Sequence, residues 1–125
     1  MYNDKVMEVF RESRNAGQIA GASGVGKVGN VQCGDIMKIY IKVDKRGVIT
    51  DAKFKTFGCV SAIASTSVAC EMIKGKTLTQ AGKLSNKDVL DYLGGLPAQK
   101  IHCSVLAQQA IAAAIKDYQK KSKKK

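Results

Sequence analysis

Apolar and polar positions alternate with period two from residue 37, with Met37, Ile39, Ile41 and Val43 on one side and Lys38, Tyr40, Lys42 and Asp44 on the other. This is the pattern of a half-buried strand. Asp44-Lys45-Arg46-Gly47 reads as a turn, with Gly47 free to take a positive φ. A second alternating run follows, Val48, Thr50, Ala52, Phe54 and Thr56 against Ile49, Asp51, Lys53 and Lys55, so the two runs predict an antiparallel hairpin. Upstream, Val6, Val9 and Phe10 fall at i, i+3 and i+4, predicting a short amphipathic helix over residues 4–14. Downstream of Gly58, residues 61–74 are mostly small or apolar and end at Gly75, as a buried helix would. Residues 77–83 and 85–93 read as two shorter helices, the first opening at Thr77 and the second capped by Ser85 or Asn86, before a break at Gly94-Gly95-Leu96-Pro97. From His102 or Cys103 to about Tyr118, Ala107, Ile111, Ile115 and Tyr118 form one stripe of a long helix. Strands followed by helices predict an α+β fold: a small antiparallel sheet with helices packed on one face.

Residues 21–31 are harder to read. Their glycines suit either a loop or a weakened edge strand. Gly21 to Lys27 matches G-x-x-x-x-G-K, but Val28 stands where a phosphate loop needs Ser or Thr for Mg²⁺. The residues that follow are also poor material for the helix that should point at the phosphates. The match is read as a coincidence of glycines.

Composition narrows the picture. The chain has 125 residues, the size of one domain; residues 1–118 are expected to form it and 119–125 a flexible basic tail. No run approaches the ~20 apolar residues of a membrane span, and the N-terminus lacks the apolar region of a secretory signal, so a cytoplasmic location is expected. The net charge is +11, and residues 116–125 supply six lysines against Asp117. Nucleic-acid binding would need base-reading or stacking groups on a basic face, and no such motif is evident. An acidic protein partner is a better use of the charge. Four cysteines in such a chain are not expected to pair as disulfides.

Three of the cysteines fall at predicted element boundaries. Cys33 precedes the first strand with Asp35 two residues on, Cys59 follows the second, and Cys103 opens the last helix directly after His102. In an antiparallel hairpin the start of one strand lies near the end of the next, so Cys33 and Cys59 should meet. A helix N-terminus favours the thiolate, and thiolates bind zinc or iron–sulfur clusters. Three thiolates with one Asp or His make four ligands, the last more exchangeable than a cysteine. The bland alternative is three buried thiols. Cys70 lies in the apolar helix and reads as core.

At these residues the sequence resembles the iron–sulfur cluster assembly scaffolds of the IscU type and the N-terminal part of NifU. The blocks are Cys33-Gly34-Asp35-Ile36-Met37-Lys38, residues 49–59 ending in Phe57-Gly58-Cys59, Ser61-Ala62-Ile63-Ala64-Ser65, Lys74-Gly75-Lys76-Thr77-Leu78 and Lys100-Ile101-His102-Cys103-Ser104. The resemblance implies a three-stranded antiparallel sheet, with residues 22–31 as the third strand, and a long C-terminal helix. It implies a scaffold or carrier rather than a turnover enzyme. A cysteine desulfurase would pass sulfur to Cys103 as a persulfide, and iron and electrons, from a donor such as a ferredoxin, would complete a [2Fe–2S] cluster for transfer to acceptor apo-proteins. By the same resemblance Cys33, Cys59 and Cys103 are cluster or metal ligands, His102 a fourth ligand and Asp35 the residue that keeps the cluster labile. Zinc would fill the site when no cluster is present. The chain would be a monomer or homodimer, without a nucleic-acid or membrane partner.

Three departures from the family pattern matter. Val60 stands where many members have Gly. Leu96-Pro97-Ala98-Gln99-Lys100 replaces the Leu-Pro-Pro-Val-Lys read by a dedicated Hsp70-type chaperone, which argues against chaperone-driven release. The zinc-dependent, SufU-like sulfur acceptor is the alternative function. That branch carries an insertion between the positions of Cys59 and Cys103 and lacks the equivalent of His102, whereas this chain has the histidine and no insertion.

Overall fold

The computed structural model describes residues 3–12, 15–30, 35–58, 60–96 and 101–123. In chain order the elements are α1 (Asp4–Glu12), β1 (Gly24–Asn30), β2 (Asp35–Val43), β3 (Ile49–Phe57), α2 (Val60–Ile73), α3 (Leu78–Gly82), α4 (Asn86–Leu93) and α5 (His102–Lys123). The sheet is antiparallel with order β1-β2-β3. Helix α2 packs on β3, and α5 on β1 and β2. The core between sheet and helices holds Met37, Ile39, Ile41, Ile49, Phe54, Ile73 and Ile111. This is the expected α+β architecture. The predicted end of α1, at residues 13 and 14, lies outside the described residues.

The hairpin forms where the alternation places it. Its turn is held by Asp44, whose Oδ1 accepts from the backbone N–H of Arg46 at 2.8 Å and of Val48 at 3.0 Å. Those hydrogen bonds, Val48 first, hold its carboxyl below the usual carboxylate range. Strict alternation fails in one place. The register slips between Lys42 and Val43, so that Ile49, not Val48, turns inward to full burial. A bulge adds one residue to a strand and reverses the facing of what lies beyond it.

The Gly-rich segment is strand β1. Gly24 and Gly26 lie on its helix-covered side, paired with Ile41 and Ile39. A Cβ at Gly26 would overlap the backbone of Ala110 and Ala114, and one at Gly24 the carbonyl of Ala114. The glycines therefore let a helix lie directly on a strand, and Lys27 is a strand residue rather than part of a phosphate loop.

Each edge strand has a backbone tie beyond the sheet. The outer N–H of Val25 donates to Asp117 Oδ2 on α5 at 2.9 Å. On the far edge, Gly17 N–H donates to Phe54 O at 2.8 Å, and Phe54 N–H to Asn15 O at 2.9 Å. Each tie occupies edge backbone groups that could otherwise invite strand addition.

Helix ends follow the sequence signals. Thr77 with Gln80, and Ser85 with Asp88, form capping boxes, so Ser85 rather than Asn86 is the cap. Asn3 serves two helices: its Oδ1 accepts from Val6 N–H at 2.9 Å, and its Nδ2 donates to Leu93 O at the end of α4 at 2.9 Å. Helix α5 continues five residues past the expected stop at Tyr118. The ion pair from Lys121 to Asp117, 3.0 Å and one turn apart, supports that extension.

Candidate metal centre

Three element ends are brought to one end of the sheet. Asp35, the first residue of β2, pairs with Asn30, the last of β1, and Ile36 pairs with Phe57, the last of β3. Gly58, which adjoins Cys59 in sequence, follows at once. The third end belongs to α5. Gly24 lies under Ala114 and Tyr118, and Gly26 under Ala110 and Ala114, so α5 runs antiparallel to β1. From Gly26 to Asn30 is about 13 Å at ~3.3 Å per strand residue, which about nine helical residues cover at ~1.5 Å each. Nine residues back from the middle of that contact is Cys103. The start of α5 is therefore level with Asn30 and Asp35.

Of the five residues singled out in the sequence, the described residues include three: Asp35, His102 and Cys103. The first two are placed by their backbones, as the opening residues of β2 and α5. Cys103 is fully buried and forms no disulfide. Cys33 and Cys59 lie outside the described residues, as do residues 97–100 of the departing chaperone-recognition segment. Among the described residues no three His, Cys, Asp or Glu side chains converge. Cys70 is buried in α2, away from the element ends, and burial pushes its thiol far above the ordinary value. It is core, as its apolar neighbours predict.

The sequence reading overlooked a set of hydroxyls. The side-chain oxygens of Thr56, Ser61 and Ser65 are buried with no hydrogen-bond partner among the described residues. Nearby hydroxyls in similar settings do find one: Thr66 donates to Ala62 O and Ser104 to Ile101 O, each at 2.6 Å. The three orphans bracket Cys59. Thr56 precedes it by three residues at an inward register position, Ser61 follows by two, and Ser65 is one helical turn further on. A buried hydroxyl normally has a partner, so three without one around a candidate ligand form a donor set with spare capacity. The available signal was two serines four apart in an otherwise apolar helix start.

Comparison with known proteins now gives the class and then the family. The fold matches a putative iron–sulfur cluster assembly scaffold protein for the SUF system from Fervidobacterium islandicum, with a TM-score of 0.79 over 91% of this chain and 96% of that one at 24% identity. The NifU-like N terminal domain model matches residues 1–125, and the chain belongs to that family. It is 55% identical to iron–sulfur cluster assembly scaffold protein IscU 1 of Archaeoglobus fulgidus, covering 99% of this chain and 80% of the relative. It is 49% identical to the IscU scaffold protein of Azotobacter vinelandii, covering 96% and 95%.

Proposed function

We propose that this protein is a scaffold for iron–sulfur cluster assembly. A [2Fe–2S] cluster would be built on it from iron and desulfurase-derived sulfur and then passed to acceptor proteins. The observation that supports the reading is that the β2 start, the β3 end and the α5 start lie at one end of the sheet, and these are the places in the chain that border Cys33, Cys59 and Cys103. Similarity over nearly the whole chain, at about half identity, to proteins named as scaffolds supports it.

In this reading Cys33, Cys59 and Cys103 hold the cargo as thiolates, and His102 or Asp35 completes the set as a weaker, exchangeable ligand. Cys103 takes sulfur by attacking the outer sulfur of the desulfurase persulfide, which leaves the desulfurase cysteine as a thiolate. Reducing that sulfur to sulfide consumes two electrons, so an electron donor, such as a ferredoxin, is a required partner. The spare hydroxyls of Thr56, Ser61 and Ser65 suit sulfur acceptors, whose hydrogen bonding tunes cluster potential. The protein would thus be a carrier, with zinc as an alternative occupant of the thiolates in the cluster-free form.

Mixing the chain with a desulfurase and cysteine, and mapping the persulfide by peptide mass, tests sulfur acceptance. The increment belongs on the Cys103 peptide and disappears in Cys103→Ser; an increment confined to Cys70 would refute the assignment. Asp35→Ala should lengthen the life of the bound cluster several-fold, because a competing carboxylate is removed. Equal or faster bleaching in air would contradict that role.

A further inference from the structure

The end of the molecule opposite the candidate metal centre collects cations from three parts of the chain. Tyr118 of α5 lies over Gly24, and Gly24 pairs with Ile41 of β2. The five residues of α5 beyond Tyr118 rise about 7.5 Å, which is about two strand residues. The helix therefore ends level with Val43, where the hairpin turn begins. The α2–α3 connection is tied to the same turn: Ile49 N–H donates to Lys76 O at 2.8 Å, and Leu78 N–H to Gly47 O at 3.0 Å. Lys45 and Arg46 of the turn, Lys76 beside it, and Lys120 and Lys121 of α5 thus share one pole, with Lys116 a helical turn before Lys120. All six are exposed. The carboxylates at this pole are already engaged. Asp44 accepts from two N–H groups of the turn and pairs with Arg46 at 3.5 Å, and Asp117 holds Val25 N–H and Lys121. Nearby Asp51 accepts from Ala52 N–H at 2.9 Å and lies 3.9 Å from Lys74. Six of the ten acidic residues, Asp4, Glu8, Glu12, Glu71, Asp88 and Asp91, sit instead on α1, α2 and α4. Among the described residues Lys45, Lys76, Lys116 and Lys120 form no ion pair.

Like charges crowded without counter-charge work against the compact state, and exposed side chains contribute no packing that would require them here. We propose that this pole is a docking surface for an acidic protein, which presents a compact cluster of carboxylates to Lys45, Lys76, Lys116 and Lys120. Shape and composition select the partner. The cations come from a turn, a connection and a helix end, so they form a compact cluster. A nucleic-acid duplex presents one charge per ~1.7 Å along a rod and calls for a basic stripe or groove. A single strand calls for rings on which bases stack, and the exposed aromatic residues among those described, Phe57 and Tyr92, lie on the far end of β3 and on α4. The nine residues of β2 put about 27 Å between this pole and Asp35. A partner held here leaves the candidate metal centre open, so both ends can be engaged at once. The charge would steer and orient the partner, with a hold that weakens as salt rises. The surface stands whatever cargo the metal centre carries.

The test is an NMR titration of the full chain at low salt with a Glu-rich helical peptide and, separately, with a short DNA duplex. The peptide should shift the amides of Lys45, Arg46, Lys76 and Lys120 and leave that of Asp35 in place. Its affinity should fall about ten-fold in the double variant Lys116→Glu/Lys120→Glu and about five-fold in Lys45→Glu/Lys76→Glu. Lys55→Glu/Lys87→Glu makes the same change of charge at exposed positions away from the pole, and should lower the affinity less than about two-fold. That comparison separates a located surface from the pull of net charge. Thermal melts check the fold of each variant, and the two pole variants alter different elements, so either one reports if the other misfolds. Equal loss in all three double variants would overturn the proposal, as would shifts centred on the sheet or on the start of α5. Tighter binding of the duplex at the same pole would overturn it too.

Discussion

A buried hydroxyl without a partner costs the folded protein free energy, about 1–3 kcal/mol per group. Among the described residues Thr56, Ser61 and Ser65 find no partner, while Thr66 and Ser104 bond local carbonyls. Removing the hydroxyl should therefore help the unloaded fold. Ser65→Ala is expected to stabilise the cluster-free protein by about 1 kcal/mol in urea unfolding, and to shorten the lifetime of a bound cluster. A destabilised cluster-free Ser65→Ala would mean that the hydroxyl has a partner in solution. This feature was not legible in the sequence, because a serine in an apolar helix usually bonds the carbonyl one turn back. Cys70 was legible, since it sits among the apolar residues Val68, Ala69, Met72 and Ile73 of α2.

Among the elements, the hairpin, the capped helices and the long last helix could be read from periodicity and cap residues. Two features could not. The bulge opposite Lys42 reverses the facing of Ile49, and nothing in the local pattern announces a one-residue slip. Strand β1 is disguised because the helix above it excludes the side chains that give a strand its alternation. Gly26→Ala should cost about 3 kcal/mol, the scale of an overpacked core, since the obstacle is the backbone of Ala110 and Ala114. A loss below about 0.5 kcal/mol in chemical unfolding would show that α5 sits higher over β1. Asp117 is the second tie between these elements. Its carboxyl is held below the usual range by the Val25 N–H first and Lys121 next. A depressed folded pKa contributes stability above the unfolded value that is lost as pH falls through the folded one. Asp117→Asn should thus cost about 1 kcal/mol near neutrality, and the gap from the parent should close as pH falls below about 4. A gap that is constant with pH would place the contribution elsewhere.

At the scale of the whole molecule, a three-stranded sheet and an antiparallel helix carry distant parts of the chain to one rim. Cysteine spacing alone left buried thiols open as an explanation, and full burial of Cys103 is compatible with either role. The convergence of β2, β3 and α5 is what favours a shared site, and it rests on register and on two glycines rather than on any local motif. The chain also gathers exposed cations at the pole opposite that rim, which composition alone registers only as net charge. Anaerobic reconstitution with iron, cysteine and a desulfurase tests the shared site most directly. The parent protein and Cys70→Ala should turn red-brown with sulfur-to-iron charge-transfer absorption, and Cys33→Ser, Cys59→Ser and Cys103→Ser should each lose it while keeping their fold. A colourless protein holding only zinc, or folded serine variants that still assemble the cluster, would contradict it.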